Sequence, residues 1–571
     1  MRRWSTPLLK VWAFFAAALV VSQPVWAQEQ KEIGAEEERI RRPRKLEVPE
    51  RVSIPIELPP EGELPPVAAG APPVTVVRVE VEGATLLPPG EAERLTAPVV
   101  EKTVTLQELR EVAQSVTRWY RGKGYVTSRA LVPAQAVEQG VVRLRVVEGK
   151  VGEVRFEGNT HFSTELLQRY VRVKQGEVLW LPDLEQTLGS LNAHPDRRAR
   201  LVLSPAVEPE TTDLVFQVTD RKPFHANYGV DTLGQKTTGW IRQSVGVSHG
   251  NLTGADDQVS VRMLVSEGTA LWGGAMSYLR PLTSGGVMGT FDVSGVKTEV
   301  RDDLKFLKAH GNAYTLSPGL IVPLLRRTHW EMEGTLGFDY KRVRTFEDEL
   351  ATSKDDLRVV RGGVNLLQED NQGRSLFVQE TRIGIPDFLG GSHSEDVAAS
   401  RAGAGGQFVR YTASLLRQQN TPFLGSILVG RLSGQVTSDR LVFGEQFRLG
   451  GFETVRGYPE GEYLADYGWQ STLELRTPLD RLLPGPEDSR SLYSRLRRSV
   501  LLVGFWDFAE GFLRDPRPTE DEDARLSGLG FGFRLRPTSE SVFQMDWGWP
   551  VGDRDAEKDR PRIHLIMRLG F

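Results

Sequence analysis

Cysteine is absent from this 571-residue chain, which excludes disulfide staples, thiolate metal sites and a cysteine nucleophile. Histidine is scarce: the eight residues, at positions 161, 194, 225, 249, 310, 329, 393 and 564, never fall within one helical turn of each other. That spacing rules out a histidine metal motif of local type. Long apolar runs are missing as well. The uninterrupted stretch 11–21, VWAFFAAALVV, falls short of the ~20 residues that a membrane-crossing helix needs. Nor is there a surplus of one charge. Lys+Arg number 71 against Asp+Glu 75, a net charge of -4, so a general nucleic-acid binder is excluded. Apolar residues at 39% and charged residues at 26% speak against a helical membrane protein. The length exceeds one core and predicts about two to four domains.

What is present begins with an address. Arg2 and Arg3 precede the short apolar core, and small residues close it at Val25-Trp26-Ala27. Charge, length and cleavage pattern read as a secretory signal peptide over residues 1–27, against a signal anchor as the alternative. Residues 28–73 form a polar tract: a charged stretch, 29–44, able to be helical, then prolines at 43, 49, 55, 59, 60, 65, 66, 72 and 73. The prolines predict a linker without regular structure over 45–73.

Between Val74 and Phe224 two segments share one pattern about 75 residues apart. The first opens with an alternating strand, Val77, Val79 and Val81 against Arg78, Glu80 and Glu82, ending at Gly83. A helix starts at Thr105, which forms a capping box with Glu108 and carries Leu106, Leu109, Val112, Ala113, Val116 and Tyr120 on one face. Gly122 and Gly124 stop it, and strands follow at 126–132 and 141–147. The second segment repeats the order: strand 151–157, helices 164–171 and 184–191, strands near 199–204 and 213–219. These are two α+β units, each with helices on one face of a sheet and a free sheet edge. Domain boundaries are expected at 74–149, 150–222 and 223–571.

From residue 223 the period becomes two. Trp330, Met332, Gly334, Leu336, Phe338 and Tyr340 alternate with polar or small residues, as do Val259, Val261, Met263 and Val265. The chain ends on Ile563, Leu565, Met567, Leu569 and Phe571 in the same rhythm, with Ile566 as the exception. About sixteen such segments fit, the spacing of an outer-membrane barrel. Alternation alone also suits a soluble sandwich; export, the lack of disulfides and the aromatic last strand favour the barrel. Two catalytic look-alikes fail. Gly246-Val247-Ser248-His249-Gly250 matches a serine-hydrolase elbow, but a turn and another strand follow instead of the required helix. Gly229 to Thr237 resembles a phosphate loop, yet Gln235 separates Gly234 from Lys236 and no helix follows.

The stretch 120–151, YRGKGYVTSRALVPAQAVEQGVVRLRVVEGKV, then NLTGADDQVSV at 251–261, SYLRPLTSGG at 277–286 and LGGFETVRGYPEGEY at 449–463 occur in a telling order. Together they resemble the outer-membrane transporters of two-partner secretion, the hemolysin activator/secretion family (ShlB/FhaC/HecB type), over nearly all of the chain after its signal. The resemblance implies two periplasmic polypeptide-transport-associated (POTRA) domains before a barrel of about 16 antiparallel strands in the bacterial outer membrane. It implies export of a large partner protein, an adhesin or hemolysin, with no enzyme activity and no cofactor. Residues 29–44 take the place of the family's plug helix. Val455, Arg456, Gly457 and Tyr458 form the family's tetrad, on a loop that folds back into the barrel. Its arginine meets an acid on the inner wall, where GFWDFAEG at 504–511 supplies Phe505 and Asp507 but has Ala509 in place of the relatives' glycine. A charged arginine inside a barrel needs a carboxylate, and the forked pair adds geometric specificity. Gly450, Gly451 and Gly457 permit tight turns there. The terminal Phe571 implies a signal read by barrel-assembly machinery. Partners are then the client, held by the POTRA domains, membrane lipid and that machinery. An insertase that folds other barrels is the nearest rival; a passive porin does not need two POTRA units.

Overall fold

The computed structural model describes residues 56–57, 73–283, 285–300, 308–327, 329–483, 485, 492–538, 540–551 and 560–571. The signal segment 1–27 and the stretch 29–44 lie outside the described residues. Two compact units emerge, one drawn mainly from residues 51–223 and one mainly from 224–571.

The first unit contains the expected repeat. In its first half Arg78–Glu82 pairs in parallel with Val141–Val147, which pairs antiparallel with Arg129–Leu131. Helices Pro89–Thr96 and Leu106–Gly122 belong to the same half. Thr105 and Glu108 form the capping box, and Leu109, Val112, Ala113, Val116 and Tyr120 are buried. A fully buried side chain of this kind stabilises by roughly 1.5–3 kcal/mol. The second half repeats the topology: Lys150–Glu157 parallel to Thr211–Asp220, itself antiparallel to Arg197–Pro205. Helices Thr164–Gln168 and Leu181–Asn192 supply Leu166, Leu167, Leu184, Leu188 and Leu191 to its core.

Two details make the repeat physical. Gly83 and Gly158 have φ of +78° and +85°, and a Cβ on either would sit 2.5 Å from the carbonyl oxygen of Val146 or Val218. Two residues after each valine an acid closes the turn. Glu148 accepts from the Thr85 and Leu86 amides (both 2.8 Å) and the Tyr120 hydroxyl (2.7 Å). Asp220 accepts from the amides of Thr160, His161 and Phe162. Burial alone would raise the Glu148 pKa, but the hydrogen bonds from Thr85, Tyr120 and Leu86 outweigh it and hold the carboxyl below its ordinary value. A depressed carboxylate stabilises the fold above its unfolded pKa of about 4.3, and that contribution disappears as pH falls through the folded value. In a fragment spanning 51–223, Glu148→Ala should therefore lower stability by ~1–3 kcal/mol at pH 7, because amides and a hydroxyl lose their acceptor. Urea unfolding at pH 7 and pH 3 measures it: the gap between variant and wild type should narrow at pH 3.

One expectation is corrected. The proline-rich tract was expected to exclude regular structure, yet Ile56–Glu57 forms a short strand parallel to Arg197–Pro205, at Leu201 and Val202. Proline is tolerated around an edge strand, where a lost donor faces no partner.

The second unit is a closed barrel of sixteen strands in which each strand pairs antiparallel with the next in the barrel. The first six are Phe224–Asp231 (β1), Arg242–His249 (β2), Gln258–Ser266 (β3), Leu271–Pro281 (β4), Met288–Glu299 (β5) and Ala309–Arg327 (β6). Then come Trp330–Glu347 (β7), Leu350–Asp370 (β8), Gly373–Gly384 (β9), Phe408–Asn420 (β10) and Ile427–Thr437 (β11). Tyr467–Pro478 (β12), Val500–Phe512 (β13), Asp523–Leu535 (β14), Val542–Pro550 (β15) and Arg562–Gly570 (β16) complete it. Register Tyr228↔Leu569 closes β1 on β16, and Phe571 extends the seam through reciprocal backbone bonds with Ala226 at 2.8 and 3.2 Å. An even strand number puts Phe224 and Phe571 on one rim, here the near rim. Outward positions carry the apolar alternation, as at Trp330, Leu336, Leu473, Trp506 and Ile563. Gly246–His249 lies in β2 of a plain hairpin, so the elbow look-alike is disposed of structurally.

Candidate functional site: a return loop inside the barrel

The loop between β11 and β12, residues 438–466, begins and ends at the far rim. Phe447–Leu449 pairs antiparallel with Tyr463–Ala465, making a narrow two-stranded stalk. Gly450, Gly451 and Gly457 have φ of +93°, +106° and +103°, so all three use the left-handed freedom expected of them. The tip, Val455–Tyr458, is fully buried. Val455 and Tyr458 pack with Leu449, Ala465, Ala509 and Leu526. Ala509, which stands in the relatives' glycine position, fills part of that cluster with its methyl group.

Arg456 and Asp507 come together as the sequence resemblance implied. Arg456 Nε donates to Asp507 Oδ2 at 2.7 Å, Nη2 to Oδ1 at 2.8 Å, and the Arg456 amide to Oδ2 at 3.1 Å. The Phe505 ring lies beneath the guanidinium, 3.4 Å from Cζ. Two further acids, unseen in the sequence, complete the cage. Nη1 donates to Glu474 Oε1 on β12 at 2.7 Å and to Asp546 Oδ2 on β15 at 3.3 Å. Each of these has its own cation: Arg476 on Glu474 (2.6 Å) and Arg534 on Asp546 (2.9 Å). Arg456, Arg476 and Arg534 thus share Asp507, Glu474 and Asp546, buried acids that need cations beside them.

Backbone approach matters as much as charge. A Cβ on Gly528 would lie 2.0 Å from Arg456 O, and one on Gly548 would lie 2.7 Å from Gly457 N. Gly528→Val should push the tip off the wall with every charge retained. Secretion should fall as far as in Arg456→Ala, while heat-modifiable barrel stays near wild-type abundance; normal secretion would mean that the tip does not need this seat.

The loop is held at two more levels that the sequence did not reveal. Glu445, fully buried on the descending limb, meets Lys341 (β7) at 3.3 Å, Arg410 (β10) at 3.1 Å and Arg382 (β9) at 3.4 Å. At the far rim Asp466 is gripped by Arg401 at 2.7 Å, and Arg401 also meets Glu520 at 2.9 Å. The Asp466 carboxylate further accepts from the Leu441 and Arg514 amides. Inward parity was the available signal: Asp339, Lys341, Glu474 and Arg476 fall on inner-wall positions of their strands, but a barrel lumen is polar in any case, so parity alone does not name their partners.

A closed barrel with an apolar outer band, a charged lumen and a loop folded back into it is the architecture of an outer-membrane barrel. Family comparisons make the assignment specific. Residues 74–149 match the model for "POTRA domain, ShlB-type", 149–221 match a POTRA repeat of surface antigens, and 210–493 match "Haemolysin secretion/activation protein ShlB/FhaC/HecB". The chain belongs to the ShlB/FhaC/HecB family of two-partner secretion transporters, with POTRA domains in the periplasm and the barrel in the outer membrane. Similar proteins include the heme/hemopexin transporter protein HuxB of Haemophilus influenzae, strain 86-028NP, 24% identical over 83% of this chain and 82% of that one. The outer membrane transporter CdiB of Escherichia coli O6:K15:H31 is 26% identical over 80% and 77%. In fold, the chain matches CdiB from Escherichia coli with a TM-score of 0.70 at 21% identity, covering 95% of this chain and 98% of that one. BamA from Haemophilus ducreyi, lacking POTRA domains 1–3, shares the barrel fold at a TM-score of 0.52 and 13% identity.

Proposed function

We propose that this transporter carries a large secreted protein of adhesin or hemolysin type from periplasm to cell surface, and that export requires the return loop both to leave its seat and to regain it, so that a loop unable to hold the seat is inactive. The observation that carries the reading is the Arg456 cage: the lumen is occupied by a segment held through ion pairs and glycine-seated backbone contacts, all of which can separate and re-form. Val455, Arg456, Gly457, Tyr458, Phe505 and Asp507 act as the lock between loop and wall. The barrel's own ladder is closed without the loop, so displacement leaves the membrane seal intact.

Client capture falls to the POTRA units. Each sheet offers an edge strand, and an extended client segment can add to such an edge through backbone hydrogen bonds. The pairing of Ile56–Glu57 along Arg197–Pro205 supports this chemistry, since that edge accepts an extended segment in register. Phe571 serves recognition by assembly machinery: its deletion should lower heat-modifiable barrel in the outer membrane, and normal barrel with reduced secretion would refute that role. The function itself is tested by expressing the chain with a large secreted partner encoded beside it. The partner should reach the medium, and deletion of 74–222 should abolish this while barrel remains. Loss of other outer-membrane barrels on depletion would instead favour an insertase.

A further inference from the structure

The outer wall of β5–β8 changes character abruptly. On β7 the outward positions run Trp330, Met332, Gly334, Leu336, Phe338 and Tyr340, then become Arg342 and Arg344. The ten-residue step from Trp330 to Tyr340, at ~3.3 Å per residue and a strand tilt of ~40°, spans ~25 Å, the height of an apolar band. Tyr340 and its neighbour Tyr314 therefore mark the outer edge of the hydrocarbon. The cations begin directly above it, at the depth of the outer-leaflet headgroups.

Cross-strand register turns this into a continuous surface. One row reads Trp272, Lys297, Asn312, Arg344 and Lys354 across β4–β8. The row beneath contains Tyr314, Arg342 and Asp356. Arg344 stands directly opposite Lys354, an arrangement that repels within a sheet. The nearest acid is oversubscribed. Asp356, buried, lies 3.0 Å from Lys354, 3.1 Å from Arg342 and 3.9 Å from Arg344. Lys297 has Glu299 at 2.9 Å. In these rows four cations share two carboxylates, and the Arg344 and Lys354 side chains remain 37% and 49% exposed.

A second observation sets exposed apolar side chains beside the same wall. The loop after β9 folds a turn, Phe388–Gly390, onto it. Arg358, stacked on Tyr340 at 3.6 Å, donates to Leu389 O at 2.9 Å, and the Phe388 ring meets the lipid-facing Phe338 edge-on at 6.2 Å. Asp387 and Leu389 adopt left-handed φ of 60° and 46°, strained for residues other than glycine. The turn leaves Phe388 46% and Leu389 60% exposed beside the cation rows.

We propose that Arg342, Arg344 and Lys354 form a binding site for the phosphate groups of the outer-leaflet glycolipid, with Phe388 and Leu389 against its acyl chains. Phosphate supplies the charge that Asp356, shared among three cations, does not balance, and guanidinium groups bind it through paired hydrogen bonds. The test uses the full-length protein in detergent, with native mass spectrometry against bis-phosphorylated lipid A, the same lipid dephosphorylated, and inorganic phosphate. Wild type should retain lipid A. The triple variant Arg342→Gln, Arg344→Gln, Lys354→Gln should bind it about a hundredfold more weakly, and Arg344→Gln alone about fivefold. Arg525→Gln, which neutralises an exposed arginine on β14, should bind as wild type. Heat-modifiability confirms the barrel; if the triple variant fails to fold, the single variant decides. Unchanged binding in the folded variant would overturn the site, as would equal binding of the dephosphorylated lipid or full competition by inorganic phosphate.

Discussion

Arg456→Ala should reduce secretion to near background while leaving barrel abundance unchanged. Removing one side of a buried pair costs ~3–5 kcal/mol, enough to shift the loop's occupancy of its seat by a hundredfold or more. The cage makes the outcome asymmetric. Without the guanidinium, Glu474 keeps Arg476 and Asp546 keeps Arg534, but Asp507 loses both side-chain donors and stays buried. In Asp507→Asn the arginine retains Glu474 and Asp546. The order of damage should therefore be Arg456→Ala worse than Asp507→Asn. The double variant should be little worse than Arg456→Ala alone, since groups in contact are not additive. A secretion assay with barrel abundance in the same cells measures all three; additive losses, or two silent single variants, would mean that the pair does not act as a lock.

Glu445→Ala should have an effect of similar size by the opposite charge. Arg382 keeps Asp339 at 2.5 Å, whereas Lys341 and Arg410 lose a carboxylate from a buried site. The loss is again ~3–5 kcal/mol, and the middle of the loop should leave the β7–β10 wall. Lumenal lysine and arginine then face the pore, so the reversal potential in planar bilayers should move toward anion selectivity, with higher conductance. Glu445→Asp should recover secretion in part. If Glu445→Ala secretes normally with unchanged conductance, the descending limb is not a second fastening.

Much of this architecture was legible because strand parity is local. In β7 the side chains that alternate in sequence alternate between lipid and lumen, and no distant residue alters that. The length of β7 was not legible: the alternation predicted 329–341, but the strand continues to Glu347. Beyond the apolar band Arg342 and Arg344 take the outward positions while Val343 lies inward, so the apolar-out alternation breaks while the ladder goes on. The Thr105–Glu108 capping box was readable for the same local reason, as both partners lie within one turn. Ile56–Glu57 was hidden, because a two-residue strand exists only through the edge it joins.

The candidate site divides along the same line. Motif resemblance identified Arg456 and Asp507, fifty-one positions apart, from residue types that relatives place together. Glu474, Asp546 and Glu445 carry no such mark. Their neighbours are set by barrel closure, by the stagger between strands and by the depth to which the loop returns, quantities that no single segment contains. The sequence by itself determined the paired α+β units, the barrel and the loop's arginine, since each rests on local periodicity or on a short motif. Only the tertiary structure decided which carboxylates cage that arginine, that an acid on the same loop faces a basic wall, and that cations line up above the lipid band. Charges become partners through cross-strand register and enclosure, and both arise only once the sheet has closed.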